Sequence, residues 1–256
     1  MIIAGIDVGV ENTKVVIIDD KKVVGCAAVS TGGVERPTQI RKAYEMALSA
    51  AGISEKDVGA VIATGRGKFD VDFVSGRVTE TIAATFAARF LYPDATSVMS
   101  VGADETLAAT IGKERLVGEY VANQKCTAAL GTFLKFLAKR LGVALEECKP
   151  EAKDAGEINE GCVVFSELDA LSLINDGAKP EAVMASAINA TAIRAATVMN
   201  DLTIPKNERP ILIGGLAKNA AFVSALEKVL GFKFIIPENP EFCGAIGAAV
   251  SGGKVA

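Results

Sequence analysis

Two cysteines carry the first chemical possibility in this 256-residue chain. Cys126 stands just before a small-residue turn and the stretch LGTFLKFLAKRL. There Leu130, Phe133, Leu134, Leu137, Ala138 and Leu141 recur at helical spacing. Cys162 follows 36 positions later in a similar setting, GCVVFSELDALSL, again small residues before a helix. A helix N-terminus favours the thiolate, the form of cysteine that binds metal. Taken singly, each of the five cysteines (Cys26, Cys126, Cys148, Cys162 and Cys243) also suits a small buried core position. The chain has no histidine, so any metal must be held by cysteine or carboxylate. Ser/His/Asp and Cys/His catalysis are excluded with it, as is His-ligated zinc.

The second possibility is phosphate chemistry. Three glycine-bearing turns follow strands, at Asp7–Thr13, Val101–Glu105 and Gly214–Asn219. Glycine lets backbone amides approach a phosphate, and turn amides pointing inward form an anion nest. Asp7, ending the first strand, suits Mg²⁺, held directly or through water, and Lys14 beyond the turn suits a phosphate. Neither the G-x-x-x-x-G-K-[ST] nor the G-x-G-x-x-G pattern occurs.

These residues must be positioned by a particular set of elements. Turn signals and β-branched residues predict strands at 2–8, 13–18 and 22–29, an antiparallel meander. A helix over 36–51 follows, with Ile40, Ala43, Tyr44, Ala47 and Leu48 on one face and Gly52 as its stop. Then come a strand at 58–64 and a helix at 79–91. The pattern restarts with strands at 97–102, 106–111 and 115–122, and an offset of 93 residues superposes Val8-Gly9 on Val101-Gly102, Thr13 on Thr106 and Ile18 on Ile111. Helices over 132–141, 165–175 and 180–202 are expected next. A strand at 210–213, a helix at 220–230, a strand at 233–236 and a last helix at 242–251 complete the list. The fold class is therefore α/β, built as two similar halves, 1–95 and 96–256, with a ligand cleft between them. The helix at about 242–252 is expected to pack back on the first half.

Composition narrows the functions. The net charge is −4 and aromatic residues make up 5% of the chain, with no long basic run, so a nucleic-acid surface is not expected. No apolar run reaches the roughly 18–20 residues of a membrane span, and the N-terminus lacks the basic region of a signal peptide. A cytoplasmic location is expected.

The motifs DVGVENTK at 7–14, the second glycine turn, and GGLAKN at 214–219 resemble the two phosphate motifs and the adenosine motif of the actin/Hsp70/sugar-kinase superfamily. With ATGRGKF at 63–69, NQKC before GTFL, GCVVFSE at 161–167 and GAIGAA at 244–249, all in order, the chain resembles the BadF/BadG/BcrA/BcrD ATPase family. That family includes activators of 2-hydroxyacyl-CoA dehydratases and ATPase subunits of benzoyl-CoA reductase. The resemblance implies two actin-like (RNase H-like) halves with a nucleotide cleft between them. It implies ATP or ADP with Mg²⁺ at Asp7, Gly9, Thr13, Lys14, Gly102, Gly214, Gly215 and Asn219. It also implies a [4Fe–4S] cluster shared across a dimer, with Cys126 and Cys162 as this chain's ligands. Cys26, Cys148 and Cys243 are then structural. The partners implied are a second copy or a paralogous ATPase subunit, a reduced ferredoxin or flavodoxin as donor, and an acyl-CoA dehydratase or reductase as acceptor.

The chain departs from the family pattern at the second phosphate turn. Where the family reads D-I-G-G-Q-D, this chain reads Ser100-Val101-Gly102-Ala103-Asp104-Glu105. A cation-linked carboxylate is lost, Asp104 and Glu105 become the candidates to position the hydrolytic water, and slow hydrolysis is expected. After Cys126, Ala129 and Leu130 replace Gly and Thr. Two other functions fit the same superfamily. One is a sugar-type kinase with Asp104 as its catalytic acid and its cysteines in the core. The other is a non-hydrolysing nucleotide-binding subunit of a heterodimer.

Overall fold

A computed structural model of the chain describes residues 1–112, 116–123, 130–203 and 209–252. It divides into two compact units. The first comprises Met1–Val98, Ala109–Gly118 and Pro237–Ala256, and the second Met99–Ala108 and Glu119–Ile236.

The first sheet has the order β3-β2-β1-β4-β5. Its strands are β1 (Ile2–Val8), β2 (Asn12–Asp19), β3 (Lys22–Ser30), β4 (Val58–Thr64) and β5 (Gly76–Arg77). β1, β2 and β3 form the expected antiparallel meander, while β4 runs parallel to β1. One face packs on α1 (Arg36–Ala51), whose Ile40, Ala43, Tyr44, Ala47 and Leu48 are buried as their spacing requires. The opposite face receives α2 (Glu80–Leu91) and α7 (Cys243–Ser251), with Ile62, Val78, Ala83 and Ala248 in their common core. α7 lies unusually close. A Cβ on Gly5 would stand 1.9 Å from the Ala245 carbonyl oxygen, and one on Gly247 would stand 1.7 Å from that of Ala83. Only glycine permits backbone to touch backbone at these two points.

The second sheet has the order β8-β7-β6-β9. It consists of β6 (Ser97–Val101), β7 (Thr106–Thr110), β8 (Tyr120–Ala122) and β9 (Ile211–Ile213). Third, second, first, fourth is the strand order of the first sheet too, so the 93-residue repeat is structural. The turns repeat at the same offset: the Gly9 N–H donates to the Asn12 carbonyl at 3.1 Å, and that of Gly102 to the Glu105 carbonyl at 2.8 Å. α3 (Gly131–Leu141), α5 (Pro180–Asn200) and α6 (Ala220–Leu230) bury their apolar faces in one core, with α4 (Val163–Asn175) against α5. The expected stripe of α3 is there, with Leu130, Phe133, Leu134, Leu137 and Ala138 buried.

Three expected elements are shorter by two residues or more in the structure. The strand at 115–122 is ordered as β only over Tyr120–Ala122, its start at Arg115 lying outside the described residues. The segment 233–236 contributes a single parallel bridge, Ile235 with Ile211, because the residues that would donate the next ladder bonds, Pro210 and Pro237, have no N–H. The helix at 180–202 stops at Asn200. Among the described residues α5 is long and apolar enough to cross a membrane, but most of it is buried in the second unit's core.

Replacing Gly247 by valine is expected to destabilise the fold by about 3 kcal/mol, since a backbone carbonyl blocks the new side chain. A fall in the urea midpoint of the variant checks this.

Candidate functional site

Asp7 ends β1 and lies directly opposite Lys14 in the β1–β2 register. Side chains opposite one another in an antiparallel pair share a face. Lys14 Nζ accordingly donates to the Asp7 carboxylate at 3.1 Å, with each side chain only 17% exposed. The connecting turn is tied down from β3's end: the Thr31 hydroxyl donates to the Gly9 carbonyl at 2.8 Å and lies 3.1 Å from the hydroxyl of buried Thr13. A Cβ on Gly9 would stand 3.0 Å from Lys14 Nζ, so the bare backbone leaves the ammonium its place.

The Asp7 carboxylate sits between two further glycines that the sequence analysis did not single out. A Cβ on Gly65 would stand 2.6 Å from one carboxylate oxygen, and one on Gly244 would stand 2.9 Å from the other. Gly244 lies in the first turn of α7, so the positive end of that helix faces the carboxylate. Thr64 is Asp7's neighbour in β4, and its buried hydroxyl finds no hydrogen-bond partner among the described residues. A part-buried carboxylate beside one ammonium and a turn with bare amides can hold a hydrated divalent cation and an anionic phosphate. The only sequence signal for Gly65 and Gly244 was their membership of glycine-rich runs.

In the second unit the two other turns stand side by side. Gly214 follows β9 with φ +95°, and a Cβ there would strike the Val101 carbonyl oxygen at 2.3 Å, one residue before Gly102. Asp104 and Glu105 lie partly exposed on the Gly102 turn, and Gly215 has open space beside it. Asn219 is a helix cap. Its side-chain oxygen accepts from the Phe222 N–H at 2.8 Å and its amide donates to the Leu145 carbonyl at 2.7 Å, so both ends are committed to the fold. The Gly102 turn also joins α3. The Thr132 N–H donates to the Ala103 carbonyl at 2.9 Å, and a Cβ on Gly131 would stand 2.9 Å from the Gly102 carbonyl oxygen.

Of the two cysteines, Cys126 lies outside the described residues. Cys162 caps α4, partly exposed, with its N–H bonded to the Asn159 side chain at 2.8 Å and its carbonyl accepting from Ser166. Arg194, buried on α5, donates to the carbonyls of Glu160 and Gly161 just before it. Its one sequence signal was a lone cation in an otherwise apolar stretch. The helices that follow the two cysteines are joined by an Arg140–Glu167 ion pair. Beyond Cys162, α4 turns Val164, Phe165, Leu168 and Leu171 outward, each 44–60% exposed, while Ser166 and Ala170 face in. An exposed apolar stripe of this kind marks an interaction surface.

The remaining cysteines divide. Burial pushes the Cys243 thiol up to about 12, with Glu241 adding to it. Burial likewise raises Cys148, helped by Glu146, Glu147 and Glu181. Both are held as thiols, poor metal ligands. Cys26 is exposed on β3, so it does not fill a core position as the sequence suggested.

The model of one family matches residues 4–252, that of the BadF/BadG/BcrA/BcrD ATPases. The chain belongs to the BadF/BadG/BcrA/BcrD ATPase family. It is 29% identical over 251 residues to the activator of lactoyl-CoA dehydratase of Anaerotignum propionicum, covering 96% of this chain and 95% of that protein. Among solved structures, it superposes with a TM-score of 0.86 on component A of the (R)-2-hydroxyglutaryl-CoA dehydratase of Acidaminococcus fermentans. There the identity is 25%, and 99% of this chain and 98% of the other are covered. The activator of the 2-hydroxyisocaproyl-CoA dehydratase of Clostridium difficile, with bound ADPNP, superposes at 0.87 with 23% identity, covering 99% and 95%. The fold is that of the actin-like activator ATPases.

A raised thiol makes alkaline pH destabilising. The native protein keeps the Cys243 proton while the unfolded chain releases it above its ordinary 9.0. The stability due to that proton is whole below pH 9.0 and is lost as pH rises toward about 12. Chemical denaturation from pH 8 to 11 is expected to give a shallower alkaline decline for Cys243→Ala than for the parent protein.

Proposed function

We propose that the protein is an ATP-dependent activator, or the ATPase subunit of a reductase, which donates low-potential electrons to a partner of the 2-hydroxyacyl-CoA dehydratase or benzoyl-CoA reductase type. The observation that carries this reading is the joint in the second unit. The turn Gly102–Glu105 is hydrogen-bonded through Ala103 to Thr132, in the first turn of the helix that follows Cys126. A displacement of that turn by a nucleotide is passed directly to the helix. The family membership and the dehydratase activators among its relatives support the same reading.

Each group in the site then has a task. Asp7 holds Mg²⁺ through its carboxylate, Lys14 neutralises phosphate charge, and Gly9 and Thr13 shape the turn whose amides face the phosphates. Gly102, Gly214 and Gly215 supply bare backbone in the second unit, Asn219 fixes the start of α6, and Asp104 and Glu105 position the attacking water. Cys126 and Cys162 of two chains, or of this chain and a paralogous one, hold a [4Fe–4S] cluster, which when bound supplies a one-electron store. The site suits it, because Cys162 is partly exposed at a helix N-terminus and a buried guanidinium stands behind its loop. The outward stripe of α4 begins beside Cys162 and serves as the surface that the second chain covers. A reduced ferredoxin or flavodoxin is the electron donor. Ser100 at the second phosphate turn makes the hydrolysis slow.

Anaerobic purification with iron, sulfide and mass determination tests the reading, and a protein that binds ATP but never iron would sink it. Cys126→Ala and Cys162→Ala are each expected to abolish iron binding while leaving nucleotide affinity unchanged. Asp7→Asn should weaken Mg-ATP by roughly ten- to a hundredfold, the worth of a charged contact of about 1.5–3 kcal/mol, measured by calorimetry. Leu168→Asp is expected to convert the dimer to monomer in light scattering and to lower iron content with it.

A further inference from the structure

Arg194 presents a problem of charge. Its side chain, on α5 in the core of the second unit, is 5% exposed. Nη1 donates to the Glu160 carbonyl at 2.8 Å, and Nη2 to the Gly161 carbonyl at 3.1 Å. Its Nε has no hydrogen-bond partner among the described residues, and no carboxylate among them pairs with it. Neutral carbonyls satisfy donors but leave a full positive charge in a low-dielectric place, which folded proteins rarely tolerate without an opposite charge. The two carbonyls belong to the residues immediately before Cys162, so the charge is directed at the loop that carries this thiol. The rest of that loop is equally constrained. Asn159 binds the N–H groups of Gly161 and Cys162 at 2.9 and 2.8 Å, and its own N–H is held by Asp169 at 2.8 Å.

We propose that Arg194 is the internal counter-cation of the anionic cluster held at Cys162, fixing the ligand loop and easing the cluster's reduction. This rests on the reading of Cys162 as a cluster ligand. A [4Fe–4S] core with four thiolates is negative in both redox states. Taking up one electron adds one negative charge and moves no atom. A fixed cation nearby therefore stabilises the reduced state more than the oxidised one, raising the potential. It also makes the folded protein and the cluster stabilise each other, since each supplies the charge the other lacks. Arg194 is thus a positioning and charge-tuning residue that need not touch iron.

The test compares the whole protein, purified anaerobically and reconstituted with iron and sulfide, with Arg194→Met and Arg194→Lys. Two quantities are read: the midpoint potential of the cluster by titration followed with electron paramagnetic resonance, and the rise in Tm on loading the cluster. Arg194→Met is expected to have a more negative potential and a smaller rise in Tm than the parent. Arg194→Lys, which keeps the charge but not the fork, should keep most of the potential. A merely structural arginine would lower the Tm of the loaded and unloaded protein equally, leaving the rise unchanged. Equal rises and equal potentials in a parent and an Arg194→Met that both bind iron overturn the proposal and leave the cluster reading intact. A parent that takes up no iron overturns both. Where Arg194→Met lacks a cooperative transition, Arg194→Gln replaces it, neutral but able to bond one carbonyl, and the same two results decide.

Discussion

The first unit depends on one contact, the meeting of β1 and α7 backbone to backbone. Gly5 and Gly247 remove the side chains that would hold α7 away from the sheet and from α2. The consequence reaches the chemistry, because a helix seated that deeply places its first turn against the end of β1. Asp7 is there, with Gly244 leaving just enough room for its carboxylate. A carboxylate in that position faces the positive end of a helix on one side and the Lys14 ammonium on the other. The candidate site is therefore as well placed as the packing of four or five small residues allows, and no better.

The second unit repeats the strand order and the turn hydrogen bond but uses them differently. Where the first turn carries an acid and a lysine, the second carries Ser100 before it and two acids within it, and its carbonyls face the start of α3 rather than a cation. One half of a duplicated framework thus carries a part-buried ion pair, and the other connects a turn to a helix. The Arg140–Glu167 pair extends that connection from α3 to α4, so the helices following both cysteines are linked along their flanks as well as through the core.

Much of this was legible in the sequence, for identifiable reasons. The β1–β2–β3 meander has clear turn signals and β-branched strands, and the buried faces of α1 and α3 show the 3.6-residue period. A period, however, does not say which side is inside. Val164, Phe165, Leu168 and Leu171 have the spacing of a core face and are turned outward. Length misled at 233–236, where four apolar or amphipathic residues make only one bridge because Pro210 and Pro237 cannot donate the next ladder bonds. The importance of Gly65, Gly244 and Arg194 lies in what approaches them from positions far along the chain, which no local pattern encodes. The family resemblance makes Cys26 structural, yet its strand shows that residue to solvent.

The seating of α7 also bears on synthesis. The strands it covers, β1 and β4, are made early, whereas α7 follows β9 and the whole of the second unit in the chain. Until α7 leaves the ribosome, Ile62, Val78 and Ala83 lack their lid. The second unit's core, by contrast, closes on segments already translated. The half whose strands are made earliest thus keeps one face of its sheet uncovered until a helix of nine residues, the last of the described helices, has been made.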